Sequence, residues 1–255
     1  MGLRKKLVSL AGSIAVFSAV LWGIPKLAPD VPDRYEGVSL PVPPSTSRVG
    51  PKTTSAPLPP GFPSMDRPPP EIEVPDGQPQ PIETKFGLTY DIPADWQNAS
   101  TGYGGWEDAT GWSIVYGAIG RFGYESCSEQ NGSTLGLSGA TGSADNDLVR
   151  VATEHSRNSS RIFSADAPGT EPTVTFSEPE EVTVAGSRGV RITATIDNIV
   201  QDSPCDPPSA VFDVVATESY ATALTAVFMV QLDQGVDDAA DRAVADRIFS
   251  TIRRS

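Results

Sequence analysis

The chain has 255 residues, of which 38% are hydrophobic, and a formal net charge of −13 at pH 7. This length suits one or two domains. So large an excess of acidic residues repels polyanions, so nucleic acid is not expected as a partner and anionic lipid headgroups are poor candidates. Solubility alone is the favoured explanation of the charge.

The N-terminal 24 residues have the pattern of a membrane anchor. Arg4, Lys5 and Lys6 precede an uncharged run of 18 residues, Leu7 to Ile24. As a helix, this run would span roughly 27 Å, close to the ~30 Å hydrocarbon core of a bilayer. The positive-inside rule places the basic cluster in the cytoplasm. Residues 1–24 are therefore predicted to be a cytoplasmic tip and single-pass transmembrane helix in the cell membrane, with the rest of the chain extracytoplasmic.

A cleaved signal peptide is the alternative for this segment, because it has the same basic start and apolar centre. Small residues at the spacing needed for cleavage occur only inside the apolar run, as at Ser13 and Ala15. Beyond the run, Ala28 is followed by Pro29, and proline at that position blocks cleavage. No cysteine lies near the end of the run, which excludes a lipid anchor. An uncleaved anchor is the favoured interpretation, and cleavage stays open.

Residues 25–81 are predicted to be a disordered, proline-rich stalk. They hold 17 of the 24 prolines of the chain and few apolar side chains. Such a composition buries too little surface to offset the entropy of ordering, and proline favours an extended backbone. At ~3.1 Å per residue, the stalk could reach up to ~175 Å.

Residues 82–255 are predicted to form one extracytoplasmic domain, with 25 acidic and 11 basic residues. This part holds both cysteines, Cys127 and Cys205. They are predicted to form a disulfide, because the extracytoplasmic compartment oxidises thiols. A zinc site is the less favoured alternative, since zinc needs three or four ligands and His155 is the only histidine. No metal and no cofactor is expected.

Strands are predicted where apolar residues alternate with polar ones. Pro93 is expected to end the first strand, and Trp96 to fill the core. The predicted strands are 86–92, 112–122, 173–184, 188–196, 210–218 and 221–232, with a tight turn at 185–187. The Ser- and Gly-rich stretch that ends at Ala144 is predicted to be a loop.

Two helices complete the prediction. The first spans about residues 147–158, with Asp145 or Asn146 as its cap. The second has apolar residues four apart from Val236 to Ile252, which indicates a helix packed on the sheet. The predicted fold class is α+β, an antiparallel β-sheet packed by a middle helix and a C-terminal helix.

Three short motifs resemble those of a known family. They are Ile92-Pro93-Ala94-Asp95-Trp96 after the first strand, Val184-Ala185-Gly186 in the central hairpin, and the closing segment from Arg247 to Ile252. Over about residues 84–253 they resemble the PsbP-like fold, and more narrowly the anchored or secreted actinobacterial envelope proteins akin to LpqN-type lipoproteins. The resemblance implies a binding or accessory role and carries no catalytic motif. The chain departs from the lipoproteins because it lacks their lipid-bearing cysteine.

The sequence contains no recognisable catalytic motif, which agrees with a binding or accessory role. The chain has no Gly-x-Ser-x-Gly elbow, no phosphate-binding glycine loop and no HExxH or EF-hand spacing. His155 lies in a polar stretch of the middle helix and is predicted to be solvent-exposed rather than catalytic. The domain is therefore predicted not to be an enzyme, and a hydrolase that uses His155 is the alternative.

A glycine-rich stretch at 101–112 contains Tyr103, Trp106 and Trp112 among four glycines. Aromatic rings on a flexible loop can stack on a sugar or cover a lipid tail, so these three are predicted as candidate ligand-binding residues. Packing of the two tryptophans on the core under a hairpin is the alternative, and it is favoured.

The expected function is a non-enzymatic, membrane-anchored, extracytoplasmic binding or accessory domain of the bacterial cell envelope. The expected partner is an envelope protein, a cell-wall polymer or an apolar ligand. A small apolar-ligand carrier and an uncharacterised envelope hydrolase are the alternatives.

Overall fold

A computed structural model describes residues 71–108, 110–164 and 171–255, and within these residues it contains eleven strands and two helices. The predicted anchor, residues 1–24, and the stalk up to residue 70 lie outside the described residues. Among the residues described, no helix is both long and apolar enough to cross a membrane.

A small three-stranded sheet combines the first two strands of the domain with the last one. It consists of β1 (Gln80–Glu83), β2 (Leu88–Ile92) and β11 (Arg253–Arg254), with β2 in the centre and both pairings antiparallel. The first strand begins at Gln80, two residues before residue 82, at which the domain is predicted to begin. Trp96 fills the core as predicted, since it is 3% exposed and stacks on Phe122 with ring centroids 5.8 Å apart.

The large sheet has eight strands. They are β3 (Gln97–Glu107), β4 (Ser113–Phe122), β5 (Gly136–Ser143), β6 (Thr173–Phe176), β7 (Glu180–Val184), β8 (Ser187–Asp197), β9 (Ser209–Glu218) and β10 (Thr225–Gln234). Their order is β3-β4-β5-β10-β9-β8-β6, β7 also pairs with β8, and every pairing is antiparallel. Together with the helices, this sheet confirms the predicted antiparallel α+β class.

The strand predicted at 173–184 is divided in two. β6 ends at Phe176 and β7 begins at Glu180, on either side of Pro179. Proline lacks the N–H that a continuous ladder needs, which explains the break. The predicted turn at 185–187 lies between β7 and β8, but it consists of residues 185–186 because Ser187 already pairs with Val184 as the first residue of β8.

Two predicted loop segments are strands instead, which corrects the sequence interpretation. Most of the stretch at 101–112 lies in β3, and the Ser- and Gly-rich stretch contains β5, which pairs with both β4 and β10. Glycine lowers the strand propensity of β5, but its small size is required by packing. A Cβ atom at Gly139 would lie 2.8 Å from the Cβ of Tyr116 on β4.

The helices also differ in detail from the prediction. The middle helix, α1 (Leu148–Ile162), is capped by Asp147, whose carboxylate accepts a hydrogen bond from the Arg150 N–H at 3.1 Å. Neither Asp145 nor Asn146 is the cap. The last helix, α2 (Ala243–Ser250), is shorter than predicted, and Asp238 before it has a φ of +62°, outside the helical region.

The large sheet separates two cores. Helix α1 covers one face, called here the α1 face, and the small sheet with α2 covers the other. Alternation along each strand produces this division. On β9, Phe212 and Val214 pack in the core under α1, whereas Val215 packs in the core beneath the small sheet.

Candidate ligand-binding cleft

A cleft of about 650 Å³ lies at one end of the large sheet, on its α1 face. It is bounded by β3, by the ends of β4, β5 and β10, by the β4–β5 and β8–β9 loops, and by the last turn of α1. Because these segments are far apart in the sequence, the cleft is a product of the tertiary fold.

Three residues from neighbouring strands form the floor of the cleft. Leu137 on β5 is the register partner of both Arg121 on β4 and Gln231 on β10. Register partners project to the same face of a sheet, and Leu137 belongs to the core under α1. Arg121 and Gln231 therefore lie on either side of an apolar centre.

One wall of the cleft is formed by β3. Gly104 lies over Leu137, and a Cβ atom there would be 3.2 Å from the leucine Cδ2. Trp106 stands beside it and makes edge-to-face contacts with Tyr116 and Phe212, with ring centroids 6.5 Å and 6.0 Å apart. These contacts hold the indole in one orientation, with its remaining surface available to the cleft.

The opposite rim consists of two loops joined by the predicted disulfide. Cys127 lies in the β4–β5 loop and Cys205 in the β8–β9 loop, and their Cα atoms are 5.6 Å apart. The bond between them is present, which confirms the prediction. Cys205 itself lines the cleft, so the crosslink fixes the separation of the two loops at its mouth.

A buried carboxyl group lines the cleft at Asp233, which is 6% exposed. Its Oδ1 accepts a hydrogen bond of 2.6 Å from the Gln231 side-chain amide. Burial raises the pKa of Asp233 to about 7, and the negative charge of Asp206 on the β8–β9 loop contributes to the rise. Asp202 on the same loop also lines the cleft.

Sequence reasoning missed Asp233 and Gln231, although a signal was present. The predicted strand at 221–232 alternates, and Val227 and Met229 lie on its α1 face. Steps of two from Met229 lead to Gln231 and then Asp233, so two polar residues continue a buried face. Polar residues at buried strand positions are a recognisable mark of a site.

Arg121 lies opposite these acidic groups. It is half-buried, and its guanidinium carbon lies 5.1 Å from the centre of the Tyr124 ring. Within the described ranges, no carboxylate oxygen lies within the 4.0 Å salt-bridge distance of Arg121, and no cationic nitrogen lies within that distance of Asp233, Asp206 or Asp202. The cleft therefore presents both signs of charge.

The three predicted aromatic residues do not form one site. Trp106 lines the cleft, whereas Tyr103 lies on the other face of β3, is 71% exposed and contacts Gly117. Trp112 lies after the strand, where its ring stacks with the Arg161 guanidinium at 4.8 Å. Because side chains alternate along a strand, Tyr103 and Trp106 point in opposite directions.

His155 differs from its prediction as a solvent-exposed residue. It is half-buried on α1, and its Nδ1 lies 3.2 Å from the Tyr116 hydroxyl oxygen. Burial lowers the pKa of His155 to about 4, so the imidazole is neutral near pH 7. In the part of the chain that the structure describes, no serine or carboxylate is hydrogen-bonded to His155, and no three His, Cys, Asp or Glu residues are grouped to bind a metal.

Solved structures show distant likenesses. The chain is similar to the solution structure of cyanobacterial PsbP (CyanoP) from Synechocystis sp. PCC 6803, at 14% identity and a TM-score of 0.40, over 71% of this chain and 95% of that one. It is also similar to a crystal structure from Bacteroides thetaiotaomicron VPI-5482, at 11% identity and a TM-score of 0.30; the match covers 71% of this chain and 49% of that one. The α+β class rests on the sheet topology of the domain itself.

Comparison with sequences identifies the family. The curated proteins give no match. A family model described as "Domain of unknown function (DUF8017)" matches residues 71–255, which include all eleven described strands and both helices. The chain therefore belongs to the DUF8017 family.

Proposed function

We propose that the domain is a non-enzymatic binding domain and that its ligand occupies the cleft beside Trp106. The observation that carries this proposal is the convergence of Trp106, Arg121 and Asp233 on one cavity of about 650 Å³. A concave site with an aromatic wall and a few oriented polar groups is typical of small-molecule binding. The charged groups favour a polar ligand over the apolar ligand considered from the sequence.

We further propose that the domain acts outside the cell, as an anchored accessory domain of a bacterial envelope. The basic cluster followed by the uncharged run from Leu7 to Ile24 supports an N-terminal anchor. The disulfide between Cys127 and Cys205 fits an oxidising compartment. The sequence motifs support the narrower relation to actinobacterial envelope proteins of the LpqN type. Alkaline phosphatase fused after Ser255 tests the location, since it is active on the extracytoplasmic side and inactive on the cytoplasmic side.

Binding in the cleft can be tested by NMR on the full-length chain. Amino acids, short peptides, mono- and disaccharides and linear alcohols are the probes. At least one class is expected to shift the Trp106 indole N–H signal together with the amide signals of Gly104 and Gly105. The absence of any shift at these three residues would contradict the proposal.

A substitution that fills the cleft gives the control. Thr134 lines the cleft, and Thr134→Trp is expected to abolish the shifts. Thr183 is exposed on β7, and Thr183→Trp adds the same ring elsewhere and should leave the shifts unchanged. Binding that survives Thr134→Trp would place the ligand outside the cleft.

A further inference from the structure

In the described part of the chain, the buried carboxyl group of Asp233 and the half-buried guanidinium group of Arg121 have no ion-pair partner. Arg191, by contrast, makes two hydrogen bonds to Asp213, at 2.9 Å and 2.8 Å, and a salt bridge to Asp246. A charge removed from water without a partner is costly unless a ligand compensates it. We therefore expect the ligand to carry an anionic group that binds Arg121 and a cationic group that binds Asp233.

The positions of these two residues set the spacing of those charges. Arg121 and Gln231 are separated by one strand, and neighbouring strands lie about 4.8 Å apart. Asp233 is two residues further along β10 on the same face, about 6.8 Å from Gln231. Two strand spacings and this step place the Cα atoms of Arg121 and Asp233 roughly 12 Å apart. Because both side chains line the same cleft, their charged groups are separated by a distance on the order of 10 Å.

We propose that the cleft binds a zwitterion, namely a short peptide of about three residues, with its ammonium group at Asp233 and its carboxylate at Arg121. This proposal rests on the proposed function and names its ligand class. An extended residue spans at most ~3.6 Å, so the two ends of a tripeptide are roughly 10 Å apart. The apolar side chain of Leu137 lies between the two strands that carry the charged groups and accepts the middle of the peptide, and Trp106 lines the same cleft.

The surroundings of Asp233 support a cation at that end. Its carboxyl group is held by the Gln231 amide and faces Asp206, whose negative charge opposes its ionisation. An ammonium group would relieve the repulsion between the two carboxylates and form charge-assisted hydrogen bonds. Arg121 can receive a carboxylate through two parallel N–H donors, which is the geometry that guanidinium groups favour.

Isothermal titration calorimetry on the disulfide-intact full-length chain tests the peptide directly. Ala-Ala-Ala is expected to bind, and acetylation of its N-terminus or amidation of its C-terminus should each weaken binding at least about tenfold. Ala-Ala and Ala-Ala-Ala-Ala-Ala should bind less tightly because their ends do not match the spacing. No binding of Ala-Ala-Ala, or equal binding of the blocked peptides, would overturn the proposal. If another class of probe shifts the Trp106, Gly104 and Gly105 signals in the NMR screen, the cleft is still a ligand-binding site and only the peptide proposal fails.

Paired substitutions identify the group at each end. Arg121→Gln should weaken the binding of Ala-Ala-Ala about tenfold, and this variant should bind the C-terminally amidated peptide as tightly as the free peptide. Asp233→Asn should likewise bind the N-terminally acetylated peptide as tightly as the free peptide. Arg188→Gln and Asp237→Asn change the same residue types at exposed positions and should bind as the wild type does. If both blocked peptides still bind the Arg121 and Asp233 variants less tightly than free Ala-Ala-Ala does, the peptide binds elsewhere. Because the blocked peptides are also tested on the wild type, a variant that fails to fold does not decide the outcome.

Discussion

Asp233 shows at the residue scale how a candidate ligand site can oppose stability. In the unfolded chain an aspartate titrates near 3.8, whereas burial and Asp206 raise the pKa of Asp233 to about 7. The other ionisable groups that line the cleft are Asp202, Arg121 and Tyr124. Between these two pKa values the folded state binds more protons than the unfolded state, so ionisation of Asp233 lowers stability as pH rises from about 4 to about 7.

Asp233→Asn is therefore expected to stabilise the domain at pH 8 more than at pH 4. A pKa rise of about three units corresponds to a differential effect on the order of 4 kcal/mol between the two pH values. Urea denaturation of both proteins at pH 4 and pH 8 measures it. The exposed variant Asp237→Asn should show no such difference, and a constant stability difference between Asp233→Asn and the wild type would contradict the shifted pKa.

The second prediction for a single residue concerns His155. Burial against Tyr116 disfavours the imidazolium, so the ring should titrate with a pKa of about 4 instead of 6.5. The stability contributed by the neutral ring is present above pH 6.5 and is lost as pH falls towards 4. Because His155 is the only histidine, its ring signals in a proton NMR titration are unambiguous. A midpoint near 6.5 would show that the ring is solvated.

At the scale of elements, the disulfide fixes two loops that no strand pairing joins. It closes a loop with a sequence separation of 78 residues, which on the chain-entropy model stabilises the fold by about 4 kcal/mol. The double variant Cys127→Ser/Cys205→Ser should lose stability of this order in urea denaturation, and reduction of the wild type should produce the same loss. The core strands should remain folded, because β8, β9 and β10 pair independently of the loops. A loss below about 1 kcal/mol would mean that the loops are held by other contacts.

The edge strand β3 depends on a glycine for its approach to β4. A Cβ atom at Gly105 would lie 2.1 Å from the carbonyl oxygen of Ile114, a backbone atom that cannot rotate away. Gly105→Ala is expected to cost about 1–3 kcal/mol in urea denaturation and to shift the fluorescence of the neighbouring Trp106. At Gly117 a Cβ atom meets only the Tyr103 ring, at 3.5 Å, so Gly117→Ala is the matched control and should be nearly neutral. Equal costs for the two variants would contradict this explanation.

Element prediction succeeded where side-chain alternation itself determines packing. β8, β9 and β10 have β-branched and apolar residues on alternating faces. The bounds of β8 and β9 agree with those predicted to within one residue, whereas β10 begins four residues later than predicted. β5 was missed because its glycines are required by contacts with β4 and with Phe86, which the local sequence does not show. The last helix was predicted too long because apolar residues four apart from Val236 also suit an irregular turn that packs on the core.

At the scale of the whole molecule, the α+β class was predictable and the cleft was not. The class follows from the number and type of elements, which local patterns indicate. The cleft brings together Trp106, Arg121 and Asp233 from three strands, and its mouth depends on a disulfide between distant loops. The register between strands decides which side chains meet, and a single sequence does not specify that register for β3 and β5.

The last prediction concerns where the folded domain begins. The core beneath the small sheet includes Ile82, which is fully buried, and the side-chain amide of Gln80 donates a hydrogen bond of 2.6 Å to the Trp96 carbonyl. A chain of residues 71–255 should therefore unfold in urea as one cooperative unit, with the stability of the full-length domain. A chain of residues 84–255 lacks β1 and should be less stable by more than about 3 kcal/mol, because it loses the buried isoleucine and the pairing to β2. Equal stability of the two chains would show that β1 is peripheral and that the core closes without it.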